Sequence, residues 1–136
     1  MNKETINNKM IKNFLIINCT GENDSIGLKV NNNFFIKEFQ NTYNNNETLT
    51  ESIVNFTRKN NAIIDDKFSI LINQGPGSFS TIRIALAIAK GINISKGAKL
   101  FGYRSDQLEA FNLENIELLI QENNLENKLI KPIYIS

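Results

Sequence analysis

The chain has 136 residues, 41% hydrophobic and 21% charged, with a formal net charge of +1. Those values exclude a disordered chain and a basic module that tracks a phosphate backbone, and at ~100–200 residues per domain they suggest one domain. Cys19 is the single cysteine and there is no histidine, so an internal disulfide, Ser–His or Cys–His catalysis and His-based zinc sites are all excluded.

The first segment, MNKETINNKMIKNF, lacks the continuous apolar core of a signal peptide. Residues 1–9 are polar and are expected to pack on nothing, with the fold beginning near Met10. Phe14–Asn18, FLIIN, is a continuous apolar run of strand length, the pattern of a central strand covered on both faces. After the turn TGEND, Ile26, Leu28 and Val30 alternate along SIGLKV, and Asn31–Asn33 form a turn into FFIKEF, which makes a hairpin. A second asparagine cluster, Asn44–Glu47, also falls where a turn belongs, because Asn tolerates left-handed backbone. Leu49, Ile53 and Phe56 then recur on one helical face.

Asp65 and Asp66 precede a short buried strand, Phe68–Asn73, and read as a solvated turn. NQGPGSFSTIRIALAIAKG follows, a glycine turn running into a helix that is apolar around almost its whole circumference. AKLFGY is a fifth strand, and SDQLEAF is expected to start a helix with Ser105 as its N-cap and Leu108 and Phe111 facing inward. ENIELLIQENNLENKLI reads as a helix interrupted at Asn123–Asn124, and KPIYIS as an extended end. The order β-β-β-α-β-α-β-α implies a mixed sheet with helices packed on it, an α/β fold.

The glycine turn admits two readings. A phosphate loop aims several backbone N–H groups, often with a lysine, at an anion. GPGSFSTIR lacks the Gly-Lys-Ser/Thr ending, and Pro76 removes a donor. Alternatively, Gly75 and Gly77 supply unusual backbone angles and Ser78 or Ser80 caps the helix. The helix itself carries more apolar surface than one sheet can cover. Ala85 and Ala89, four apart, would form a flat strip for another helix. Arg83 and Lys90, seven apart, read equally well as a solvated stripe or as a charged rim beside an interface. The longest apolar run, IRIALAIA, contains Arg83 and falls short of the ~20 residues that span a bilayer. A cytoplasmic protein is expected.

GPGSFSTIRIALAIAKGI resembles the signature of the TsaB family (also called YeaZ), which typically runs Gly-Pro-Gly-Ser-Phe-Thr-Gly-Leu-Arg-Ile-Gly. FLIINCT is similar to that family's opening strand, GAKLFGYRSDQLEAF to its next strand and helix, and KPIYIS to its Pro-x-Tyr-Leu-Arg ending. The resemblance implies an actin-like ATPase fold of ribonuclease-H-like lobes. It also implies a non-catalytic partner of the TsaD enzyme in making threonylcarbamoyladenosine on tRNA, with tRNA met only through the complex. A homodimer is the other implied association, and a membrane is not involved. The expected partner interface is Leu49, Ile53, Phe56, Ile82, Ala85 and Ala89. Gly75, Pro76, Gly77 and Ser78 are the turn that launches the second helix. Residues 1–111 would form the first lobe, and 112–136 a vestigial second one of a helix and an extended tail.

Some positions depart from the family pattern. Asn18 stands where the family has a strand-ending Asp, and a neutral amide is a weak magnesium ligand. Ser80 and Thr81 replace Thr-Gly, and Ala85 replaces Gly. Glu22 and Asp24 lie in the first hairpin turn, where an actin-like fold approaches phosphate, and two carboxylates there repel it. No cofactor, metal or catalytic residue is therefore assigned, and the ATP–magnesium site is expected to be degenerate. Cys19, at the end of a buried strand, reads as an inert hydrophobe. The competing reading is an enzyme, a small actin-like ATPase or phosphotransferase acting alone.

Overall fold

The computed structural model describes residues 11–39, 48–122, 125–128 and 130–134. The polar stretch 1–9, the asparagine cluster at 44–47 and the Asn123–Asn124 interruption lie outside the described residues.

Five strands form one mixed sheet in the order β3-β2-β1-β4-β5. They are β1 (Phe14–Asn18), β2 (Ser25–Val30), β3 (Asn33–Glu38), β4 (Ser69–Asn73) and β5 (Lys99–Tyr103). β2 runs antiparallel to both β1 and β3, as the hairpin pattern predicts. Asn31 and Asn32 turn the β2–β3 hairpin with φ of 51° and 70°, the left-handed pair a tight two-residue turn requires. β4 lies parallel to β1 with Leu15 opposite Ile70, and β5 lies parallel to β4.

Among the described residues three α-helices cover the sheet: α1 (Leu49–Lys59), α2 (Phe79–Lys96) and α3 (Leu113–Gln121). α1 starts at Thr48, whose hydroxyl accepts from Glu51 N–H at 3.1 Å. α2 ends at Gly97, which takes a left-handed φ of 74° and donates to Asn93 C=O. α3 starts at Asn112, whose side chain accepts from Asn115 N–H at 2.9 Å. No helix among the described residues is long and apolar enough to cross a membrane.

The alternation of β1 divides the core. Leu15 and Ile17 join Ile70, Ile72, Ile53, Phe56, Ala85 and Ala89 on the α1–α2 side. Phe14 and Ile16 join Leu71, Phe101, Ile116 and Leu119 on the α3 side. A strand buried on both faces needs apolar residues at every position, and FLIIN supplies them.

Two sequence expectations change here. The helix expected from Ser105 is only a 3-10 turn, Ser105–Gln107, and the true helix begins eight residues later at Leu113. Ser105 does not cap because its hydroxyl donates to Asn73 at 3.1 Å, whereas Leu108 and Phe111 do pack at the edge of the α3-side core. Nor does the packing break between residues 111 and 112. α3 supplies Ile116, Leu119 and Ile120 to the second core, and Glu117 pairs with Lys29 of β2 at 3.0 Å. A sheet apolar on both faces requires a helix on each, so α3 belongs to the same packed body as the strands.

Candidate functional site at the C-terminal ends of the parallel strands

In parallel α/β sheets, ligands meet the chain beyond the carboxyl ends of the strands. Here β1, β4 and β5 end in Asn18, Asn73 and Tyr103, and the three side chains converge. Asn18 Oδ1 accepts from Asn73 Nδ2 at 2.7 Å and from Tyr103 Oη at 2.8 Å. Asn73 Oδ1 accepts in turn from Gly75 N–H at 2.8 Å and from Ser105 Oγ at 3.1 Å. Asn73 and Tyr103 are almost fully buried. Burial pushes the Tyr103 phenol well above its ordinary pKa, with a smaller push from Cys19. It therefore stays a protonated donor at neutral pH and is no base.

This network sets the glycine turn. Gly75 has φ of 110°, and a Cβ there would strike Ile133 C=O and lie 2.8 Å from Ile82 Cδ1. A Cβ at Gly77 would lie 2.6 Å from Thr20, whose C=O accepts from Ser78 N–H at 2.7 Å. Both positions require glycine, one for its backbone angle and one for close approach. Gly75–Pro76 is cis. Ser78 occupies the N-cap position of α2 without a side-chain cap bond. Its Oγ accepts instead from Thr81 Oγ1 at 3.2 Å.

The hairpin turn between β1 and β2 lies beside this site. Asp24 Oδ1 accepts from Thr20 N–H at 3.1 Å and from Gly21 N–H at 2.9 Å. A carboxylate thus already occupies the donors that such a turn could offer an anion. Glu22 is exposed. Cys19 is buried, and burial, followed by the nearby Asp24 charge, raises its thiol pKa, so it is no ready nucleophile. Among the described residues no three His, Cys, Asp or Glu side chains cluster to hold a metal.

The tail closes the site from the other side. Glu126 exchanges both backbone hydrogen bonds with Gly102 of β5. Gln74 Nε2 donates to Lys131 C=O at 2.9 Å, and Ile133 N–H donates to Gln74 C=O at 2.7 Å. Tyr134 bridges Gly77 and stacks on Phe79 with ring centroids 4.7 Å apart. Of the KPIYIS segment, Lys131, Ile133 and Tyr134 reach Gln74 and the glycine turn, an attachment that had no signal in the sequence. The Asn18–Asn73 pair did have one: two neighbouring parallel strands, FLIIN and SILIN, end in the same amide.

The residues expected to meet a partner take other places. Ile53, Phe56, Ala85 and Ala89 lie in the chain's own core, Leu49 packs at its margin, and Ile82 is fully buried against Gly75 and Gly77. The strip of Ala85 and Ala89 is what lets α2 lie close on β4 and β5. The uncovered face of α2 is offset by two residues: Ile84 is 56% exposed, Ile94 is 82% exposed, and Ala87 and Gly91 lie between them in the open. Phe79 is also exposed, with the Arg83 guanidinium 4.9 Å from its ring centroid. Lys90 and Arg83 are both exposed, and Asp65 accepts from Lys67 N–H in the solvated turn expected of it.

No protein-family model matches the chain, and no curated protein matches it. Solved structures do, among them two from Pseudomonas aeruginosa. YeaZ from Pseudomonas aeruginosa superposes with a TM-score of 0.63 at 14% identity, covering 72% of this chain and 46% of that one. An uncharacterized protein with similarity to peptidase YeaZ, also from Pseudomonas aeruginosa, gives a TM-score of 0.62 at 14% identity, covering 72% and 45%. The chain thus spans less than half the length of either structure. Its β3-β2-β1-β4-β5 sheet, with helices on both faces, is a mixed α/β fold shared with YeaZ.

Proposed function

We propose that this chain is a non-catalytic scaffold subunit that binds a TsaD-like enzyme in the synthesis of threonylcarbamoyladenosine on tRNA. The observation that carries the reading is an uncovered apolar helix face beside a strand-end site whose polar groups are already spent on one another. Ile84, Ala87, Gly91 and Ile94 recur along one side of α2, facing away from the sheet. Contiguous exposed apolar surface of that kind marks an interaction site. Ala87 and Gly91 are small enough for a second helix to approach closely.

The strand-end site supports a binding role over a chemical one. Asn18 offers a neutral oxygen that two donors already occupy, and Asp24 fills the hairpin N–H groups. A stand-alone ATPase would need a metal-ligating carboxylate and open donors there. With a net charge of +1, the chain itself supplies no electrostatic footprint for tRNA, which fits contact through the partner.

The test is light scattering on a sizing column, with and without the TsaD-like enzyme of the same organism. A complex that forms with the native chain and is lost in Ile84→Arg supports the proposal. No complex, or nucleotide turnover by the isolated chain that Asn18→Ala abolishes, overturns it.

A further inference from the structure

The opposite end of the sheet holds a cavity of about 360 Å³. Ser69 and Lys99, the first residues of β4 and β5, lie in register there. Lys67 comes from the preceding turn, and Lys128 and Ile130 come from the tail that Glu126 pins to Gly102. Ser69 and Asn73 are four residue steps apart along β4, so this cavity lies ~13 Å from the strand-end network.

Three features of the lining point to one kind of ligand. Lys67, Lys99 and Lys128 all line it, the lining contains no carboxylate, and none of the three lysines pairs with an acid among the described residues. Asp65 accepts from Lys67 N–H and Glu126 from Lys128 N–H, each at 2.9 Å, and neither acid lines the cavity. Ser69 is only 3% exposed and also lines the cavity, where its hydroxyl can donate to a ligand oxygen. Phe101, from the α3 side of the sheet, supplies an apolar wall behind these groups. A volume in the range of ~300–1,000 Å³ suits a small molecule, and lysines bind phosphate as point charges.

We propose that this cavity binds a small organic phosphate of mononucleotide size, with Lys67, Lys99 and Lys128 around the phosphate, Ser69 donating to it, and the organic part against Phe101. The site is independent of the glycine turn and of the partner reading above.

Titration of the full ¹⁵N-labelled chain with AMP, and separately with inorganic pyrophosphate, tests it by NMR. Both probes should shift the Ser69 and Lys99 amides in a saturable way, and AMP alone should also shift Phe101. Lys99→Gln combined with Lys128→Gln should raise both dissociation constants by roughly tenfold or more, because two charge-assisted contacts are lost. Both lysines are exposed, so the rest of the spectrum should not change. Shifts confined to Gly75–Gly77, shifts that do not saturate, or binding untouched by the double substitution would overturn the site. AMP binding no tighter than pyrophosphate would overturn the role of the apolar wall.

Discussion

The Tyr103 hydroxyl donates to Asn18 Oδ1 at 2.8 Å, which ties the end of β5 to the end of β1 across the intervening β4. Asn73, at the end of β4, donates to the same oxygen, so one amide holds three parallel strands in register at the edge where the glycine turn departs. That one oxygen is also what keeps the site from offering a free ligand.

Asn18→Ala should therefore act on stability first. It leaves the Asn73 amide and the Tyr103 hydroxyl, both buried, without their acceptor, at a cost of about 1–3 kcal/mol each before any repacking. Tyr103→Phe removes one donor and leaves Asn18 still paired with Asn73, so it should cost only about 1 kcal/mol. Urea unfolding of both variants and of their combination should show the losses to be non-additive, because the two side chains share one bond.

Stability should fall in alkaline solution. Cys19 and Tyr103 both have folded-state pKa values raised chiefly by burial, so the folded chain holds these protons where the unfolded chain releases them. Their contribution is complete below the unfolded values, about 8.5 for a thiol and about 10 for a phenol, and is lost as the pH rises above them. The urea midpoint should hold to about pH 8 and then decline, with a limiting slope of about 1.4 kcal/mol per pH unit for each group. Cys19→Ala should remove the part of the decline that begins nearest pH 8.5.

Two arginine substitutions on α2 should separate the buried face from the open one. Ala89→Arg places a charge in the core against the sheet and should cost several kcal/mol, enough to unfold much of the population. Ile84→Arg points outward and should leave circular dichroism and the urea midpoint within about 0.5 kcal/mol of the native chain. Its effect should be confined to association.

Gly75→Ala should loosen the tail. The added Cβ meets Ile133 C=O while the backbone keeps a φ of 110°, so either the turn or the tail must move. A positive φ costs roughly 1 kcal/mol for a side-chain-bearing residue, before the clash is counted. Hydrogen exchange at the Ile133 amide, which donates to Gln74, should be faster in the variant, while β1 amides stay protected.

Ending the chain after Leu125 should destabilise it through Ile130, which is buried in the α1–α2 side of the core. Burial of such a side chain contributes about 1.5–3 kcal/mol, and the bonds to Gly102 and Gln74 go with it. Equal urea midpoints for the shortened and full chains would show that the tail is passive.

The strands, and the existence of α1 and α2, were legible in the sequence because each is a local property. FLIIN is apolar at every position, Leu49, Ile53 and Phe56 recur at helical spacing, and paired asparagines mark the hairpin turn. Glycines at 75 and 77 announced a turn that other residues could not make. What remained undetermined was which way a helix apolar on all sides would face. Ala85 and Ala89 suit a neighbouring helix or a sheet equally well, and only the docking of α2 on β4 and β5 turned them inward and Ala87 and Gly91 outward. The same holds for Ser105, a good helix cap in isolation, which the fold brings to Asn73, thirty-two residues earlier. Hydrogen bonds between distant side chains, and the return of the tail to the glycine turn, depend on where the parallel crossovers place the strand ends. Local propensity contains no term for that placement, so only the tertiary structure decided them.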